Sequence, residues 1–424
     1  MIEHQKTYNK FLNQFINKWL SCAEDFPKNK RKYSSIEKFI WEMKCERFLN
    51  FAKSFSQNEI NENDILLNKC KSFFRDELSY TRDQLQLIFS DDMIVATKDF
   101  IRRALQFDSE LSNEELFQAL RNQWIVFGLQ SLFNYPVQTT SSTLAYSLLY
   151  PYSDNFIDSR RISYQDKIEF SKRFELRLQG DKVIAKSKAE ERIYQLVSMI
   201  EDDFDRNDFP KLYESLLDIH HAQTRSIALT RQSVLSDIKC FEIAVTKGAT
   251  SVIADGYLIA GELSYDQLHF LYEYGAYLQI LDDLQDARDD LYEGVFTCFS
   301  KNLHSQYLDS MLCKTYYLGK EVLATIQQIY PGKIAFQGLI KRSFSLLFAS
   351  SVLTNPKDFS PAFIQQCERH SPFRFSFAEK HKAELNHSQV LFDKKLEEFK
   401  NTDLCMINKP ISTKKTVPLY NDFE

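Results

Sequence analysis

The sequence predicts an all-α protein, on three observations. Glycine and proline number only ten each in 424 residues, too little punctuation for the many turns of a β-sandwich or barrel. Apolar residues recur at helical spacing along almost the whole chain. Aromatic residues are abundant, with 35 Phe and 21 Tyr, enough to pack a large helical core. The functional alternative for these rings is a cavity lined by π faces, which stabilise a cation.

Composition narrows the function classes. The net charge is −5 and the sequence pI is near 6.0, so no basic footprint for nucleic acid is visible. The patch KNKRK (Lys28 to Lys32) is short and is expected to be a solvated loop after Pro27. Eight cysteines are scattered without a CxxC pair or zinc spacing, which predicts reduced thiols in a cytoplasmic protein. The N-terminal MIEHQKTYNKFL lacks the apolar core of a signal peptide. No run reaches the eighteen or so apolar residues of a spanning helix. The most apolar piece, Ser343 to Leu353, is broken by serines and predicts a buried helix.

Residues 1–110 read as amphipathic helices with breaks at Phe26-Pro27, Asn61 to Asn63 and Ser90 to Asp92. They form an N-terminal helical extension, either packed on the remaining helices or an integral part of the same bundle. Residues 111–400 read as the main helical domain. Ser112 with Glu115 makes a capping box, and the NQWIVFGLQSLF in the helix it opens is too apolar for a surface helix. Ser141 or Ser142 caps a helix that Pro151 is expected to bend or end. Ser163 is the next N-cap. The acidic run Glu201, Asp202, Asp203, Asp205 lacks an apolar lead-in and reads as a solvated face. His220 and His221 are adjacent, so they point about 100° apart on a helix, which favours surface or packing roles over metal binding. Between Cys240 and Gly261 the side chains shrink. Gly248, Gly256, Gly261, Gly275 and Gly294 lie between residues 248 and 294. Helical glycine costs about 0.5–1 kcal/mol relative to alanine, so this stretch predicts close helix approach or a break beside a ligand. A last amphipathic helix is expected at about 378–400, then a disordered tail, 401–424.

One segment stands out: YLQILDDLQDARDDLYE, Tyr277 to Glu293. On a helix Asp282, Asp286 and Asp290 are successive i, i+4 neighbours and form a carboxylate stripe. Like charges at that spacing repel. Either the stripe faces water, or a divalent cation offsets the repulsion, since carboxylate oxygens are the ligands magnesium prefers. A second pair at i, i+4, Asp154 and Asp158, comes just after Pro151, with Asn155 between them and Arg160 and Arg161 beyond. Neither segment has the loop pattern of an EF-hand. Two facing carboxylate stripes with basic residues nearby suit a cluster of magnesium ions that clamps a diphosphate and lowers the barrier to C–O cleavage. An apolar, ring-rich cavity beneath would shelter a carbocation.

These residues resemble the class I isoprenoid synthases, the all-α superfamily of polyprenyl diphosphate, squalene and phytoene synthases and class I terpene cyclases. LQILDDLQD is similar to the second aspartate-rich motif of the polyprenyl synthases, with Leu278 in the aromatic place. It also fits the cyclase motif (N/D)Dxx(S/T)xxxE, with Asp286 and Asp290 in the last two places. DNFID resembles DDxxD with Asn155 at the second place, or a DxxxD of the squalene-synthase kind. Its surroundings, YSDNFIDSRR, are similar to those of large terpene synthases of bacilli. Lys247 in TKGA is similar to the Lys-Thr of the polyprenyl synthases.

The resemblance, over about residues 110–375, implies a helical bundle around a central apolar pocket and several magnesium ions at its mouth. It implies Asp154, Asp158, Asp282, Asp283, Asp286 and Asp290 as metal ligands. Arg160, Arg161, Arg225 and Lys247 are implied diphosphate contacts, and Asn155 and Gln279 support the ligands. Arg369 and Arg374 are C-terminal candidates by location alone. The substrate implied is a prenyl diphosphate, and the resemblance is compatible with a homodimer and with contact at a membrane surface. It leaves three functions open: a terpene synthase that ionises and cyclises, a prenyltransferase that joins two prenyl units head-to-head or by elongation, and a non-catalytic isoprenoid-binding protein.

Overall fold

A computed structural model describes residues 2–28, 30–55, 63–159, 162–230 and 235–381. Among the described residues the chain forms helices and no strand. Five helices come first: α1 (Ile2–Ser21), α2 (Ser35–Phe55), α3 (Asn63–Asp76), α4 (Arg82–Ile88) and α5 (Asp91–Phe107). Next are α6 (Asn113–Leu132), α7 (Ser141–Asp158), α8 (Tyr164–Gln179), α9 (Lys188–Asp203) and α10 (Pro210–Ser226). Then come α11 (Asp237–Ala260), α12 (Tyr265–Gln285) and the short α13 (Ala287–Glu293). The last are α14 (Asp309–Ile329), α15 (Ile334–Thr354) and α16 (Pro361–Arg369). No described helix is long and apolar enough to cross a membrane. The expected helix at 378–400 beyond residue 381, and the tail at 401–424, lie outside the described residues.

Local chemistry starts these helices where the sequence places them. Ser112 Oγ accepts from Glu115 N at 3.2 Å and the Glu115 carboxylate accepts from Ser112 N at 2.9 Å, so the capping box forms. Ser90 and Ser163 cap α5 and α8. At α7 the cap is Thr140, not Ser141 or Ser142, through Thr143 N at 3.2 Å. Ser142 N instead donates to Asp203 at 2.8 Å. Pro151 does not end α7, which runs through it to Asp158. Burial of Tyr146, Leu149 and Ile157 on either side outweighs the single backbone bond that proline forfeits.

The core is organised on the α11–α12 pair. Gly248 packs on Gly275, and a Cβ at either would strike the other's carbonyl oxygen. Gly256 likewise faces Leu271, so the two helices run antiparallel. The small-residue stretch thus serves close approach, and α11 is unbroken from Asp237 to Ala260. Helices α10 and α14 flank the pair, and α6, α7 and α9 form a second group against it.

Helix α1 enters the same core. Its Phe11, Phe15 and Trp19 recur every four residues and are buried, each contributing about 2 kcal/mol of apolar burial. Phe11 stacks on His269 at 4.9 Å and Trp19 on Phe241 at 4.9 Å. Lys18 Nζ lies 2.5 Å from the buried Glu273 of α12, which also accepts from Thr325 at 2.7 Å. Two expectations about exposure change. Lys30, in the supposed solvated loop, is half-buried with its ammonium over the Tyr316 and Phe348 rings at 4.3 and 4.5 Å. The Ser343 to Leu353 stretch is buried on one side only, since Leu346 is 59% exposed.

Candidate active site: an aspartate-lined cavity

The C-terminal end of α12 carries the aspartate segment to the wall of a cavity of about 470 Å³. The stripe is not one uninterrupted helix. Asp286 ends α12 and precedes α13, at φ −92° and ψ 4°, the sparsely populated bridge region in which many active-site residues sit. The four-residue hydrogen bonding still passes through the joint: Asp286 N donates to Asp282 O at 2.9 Å and Asp290 N to Asp286 O at 2.7 Å. Asp282, Asp283, Asp286 and Asp290 therefore all line the cavity. Asp289 is exposed.

The opposite wall comes from α11, α8 and the end of α10. Lys247 lines it one residue from the Gly248–Gly275 contact, and Gln279 lies across from it. Lys247 Nζ is 3.6 Å from Asp154 Oδ2. Asp154, on α7, is buried and accepts a further bond from Gln223 Nε2 of α10. The two acidic segments are thus linked through one ammonium. Gln279 Nε2 donates to Asp283 Oδ1 at 2.8 Å, while Asp283 Oδ2 is buried without a hydrogen-bond partner among the described residues.

Electrostatics concentrate on this wall. Burial pushes the Asp283 carboxyl up to about 7, with Asp282 and Asp286 adding and Gln279 and Lys247 opposing. Burial and the charges of Asp282 and Asp289 push Asp286 up to about 6, against the Arg121 guanidinium. Burial, then Asp283, Asp286 and Asp282, push Asp290 up to about 9. Like charges held together in a partly dry site resist ionisation, and such clusters concentrate at functional sites.

The donor chemistry fits a hard cation. Among the described residues no three His, Cys, Asp or Glu side chains converge on a single ion position. Of the expected ligands, Asp154, Asp282, Asp283, Asp286 and Asp290 therefore do not form such a cluster among the described residues. Magnesium does not require one, because it is usually held by one or two carboxylates, with water and substrate phosphate completing its shell.

Other expected site residues fall elsewhere. Arg160, Arg161 and the Asp158 side chain lie outside the described residues. Arg225 is exposed and its neighbour Ser226 lines the cavity in its place. Asn155 is exposed beside Asp154. Arg374 is engaged by Glu42 of α2, with Nε 3.0 Å from its carboxylate, and Arg369 Nη2 reaches Gln365 at 3.2 Å. Neither lines the cavity. His220 is buried with Nε2 2.9 Å from Ser171 O, and His221 pairs with Glu175 at 3.0 Å. Glu201 bridges Arg177 and Arg206, and Asp202 is exposed.

Three contributors escaped sequence reasoning. Lys167 of α8 is buried and lines the cavity, Arg121 of α6 acts on Asp286, and Gln223 holds Asp154. None sits in a motif, and each reaches the site only through helix packing. The cavity also differs from the ring-rich pocket expected. Among the described residues its apolar lining is aliphatic, including Ile162, Leu229, Ile243, Ala244 and Val295, with no aromatic ring. The chain matches no protein-family profile, no curated protein and no solved structure.

Proposed function

We propose that the aspartate-lined cavity ionises a prenyl diphosphate with magnesium, as a class I terpene synthase does, releasing diphosphate and cyclising the carbocation. The observation that carries this reading is Lys247, held by Asp154 on one side and set against the Asp283 wall on the other. A cation flanked by two acidic segments suits a polyanion that arrives with its own metal ions. Asp282 and Asp286, exposed on the cavity, would hold the metal, with Asp283 and Asp290 beside them in the lining and Asp154 outside it, reached through Lys247. When bound, magnesium neutralises the leaving diphosphate and lowers the barrier to C–O cleavage. Lys247 and Lys167 orient the phosphate oxygens from the facing wall. Gln279 fixes the Asp283 carboxylate. Leu229, Ile243, Ala244 and Val295 keep water from the hydrocarbon end.

A prenyltransferase has one observation in its favour. Among the described residues the cavity wall carries no ring to stabilise a migrating cation, and capture by a second prenyl unit needs none. Incubation with magnesium and farnesyl or geranylgeranyl diphosphate, with and without isopentenyl diphosphate, separates the two. A cyclic hydrocarbon or alcohol supports the synthase, and a longer or doubled chain supports the transferase. No diphosphate release, with no magnesium-dependent diphosphate binding, would overturn both.

A further inference from the structure

A larger cavity, about 720 Å³, lies away from the aspartates and shares no lining residue with their site. It opens between α2–α4 on one side and α15–α16 on the other. Its walls are predominantly apolar, with Trp41, Tyr80, Phe348, Phe373 and Phe375 among them. Leu346, exposed on α15, extends the apolar surface at its edge. The charged residues of the lining are all basic. Among the described residues Lys30, Lys341 and Arg342 contribute to it, and no Asp or Glu does. In a chain of net charge −5 that is a local inversion of sign.

Two of these cations, Lys30 and Arg342, are positioned by neutral groups. Lys30 Nζ lies between the Tyr316 and Phe348 rings, and burial holds its pKa below the ordinary lysine value. Arg342 donates to Gln84 Oε1 at 3.0 Å, to Leu78 O at 2.9 Å and to Ser79 O, with its guanidinium 4.5 Å from the Tyr80 ring centre. These contacts hold the guanidinium in place without cancelling its charge. Half-buried ammonium in an apolar wall is costly unless an anion meets it. Pockets of about 300–1,000 Å³ with apolar walls and a few placed polar groups are the ordinary form of small-ligand sites.

We propose that this cavity binds an amphiphile: a long hydrocarbon chain ending in a carboxylate or phosphate. The rings take the chain, and Lys30, Lys341 and Arg342 take the anionic end. A neutral lipid leaves the cations unmet and a cationic one is repelled. The aspartate cavity cannot substitute as the site, because its carboxylates repel a metal-free anion.

Displacement of 1-anilinonaphthalene-8-sulfonate from the full chain, without divalent ions, tests this. Hexadecanoate and hexadecyl phosphate are expected to bind about tenfold or more tightly than hexadecanol, equivalent to about 1.4 kcal/mol or more. Their ratio decides between carboxylate and phosphate. Lys30→Gln with Lys341→Gln is expected to reduce the preference for the anions about threefold or more, Arg342 keeping the remainder, while leaving hexadecanol unchanged. Ser345→Trp, at an exposed lining position, is expected to block all three and keeps the test decisive if the double variant is unstable. Asp282→Asn is expected to change none of them. Equal binding of hexadecanoate and hexadecanol, or an undiminished preference in the double variant, would overturn the proposal. So would loss of binding in Asp282→Asn, or association with phosphatidylglycerol vesicles but not with dispersed hexadecanoate.

Discussion

Lys247 Nζ lies 3.6 Å from Asp154 Oδ2, joining a lysine of α11 to an aspartate of α7 across 93 residues of sequence (247 − 154 = 93). Both side chains are largely buried, so neither is a freely solvated surface charge. Lys247→Met and Asp154→Asn are each expected to lower diphosphate release about 10²–10³-fold, the usual cost of one preorganised electrostatic group. Steady-state assay with magnesium measures this. Near wild-type turnover in both would remove the pair from the mechanism.

Asp282 and Asp202 separate the site from acidic surface. Asp282 lines the cavity, whereas Asp202 is exposed on α9 away from it. Asp282→Ala is expected to abolish most turnover, by a similar 10²–10³-fold. Asp202→Ala should stay within about twofold, since surface changes are usually within about 0.5 kcal/mol. Circular dichroism of both variants checks that the fold persists.

Gly248 couples packing to the site. A Cβ there would meet the Gly275 carbonyl and lie 2.5 Å from Gln279 Cβ, and Gln279 holds Asp283. Gly248→Ala is expected to cost about 1–3 kcal/mol through overpacking and to lower turnover beyond what lost stability explains. Urea denaturation, with assay well below the midpoint, measures the two effects separately.

The cavity carboxylates give stability a pH slope. Asp283, Asp286 and Asp290 titrate near 7, 6 and 9 in the fold, above their unfolded value of about 3.9. The folded state therefore holds protons that the unfolded chain releases. Metal-free, these groups weaken the fold as pH rises from about 4 to 9. Added magnesium is expected to raise the melting temperature more at pH 8 than at pH 6. Thermal scans at both pH values check the order, and an equal or reversed effect would count against metal binding at these groups.

His220 works in the opposite direction. Burial lowers its pKa to about 4, with His221 adding and the Ser171 carbonyl and Glu175 opposing. Its folded value lies below the unfolded value of about 6.5, so its contribution is present above pH 6.5 and is lost as pH falls towards 4. His220→Gln, whose amide can still donate to Ser171 O, is expected to flatten the fall in stability between pH 6.5 and 4. Melting curves of the two proteins across that window would reveal an unchanged slope.

Much of the fold was legible because its signals are local. Ser112 with Glu115 and Ser163 start helices where the sequence places them, and the break expected at Ser90 to Asp92 falls at the Ser90 cap, since a cap is decided within four residues. Pro151 does not end its helix, because burial on both sides outweighs the local rule. Lys30 was misread for a similar reason: KNKRK looks solvated until the rings of α14 and α15 close over its middle lysine. Gln279 was legible as a support for the aspartates, and it donates to Asp283 one turn on along α12. Lys167, Gln223 and Arg121 were not, because no spacing links them to the aspartates.

From the residues alone came the all-α class, the helix starts and the carboxylates at i, i+4, all set by interactions within a turn or two of chain. Only tertiary structure decided which charges meet. The Gly248–Gly275 contact sets the register of α11 on α12, and that register places Lys247 between Asp154 and the aspartate wall. Packing also moved the rings to a second, basic cavity and left the acidic one with aliphatic walls. The physical reason is range. Caps and periodicity act through neighbouring residues, whereas a cavity is enclosed by side chains from helices far apart in the chain.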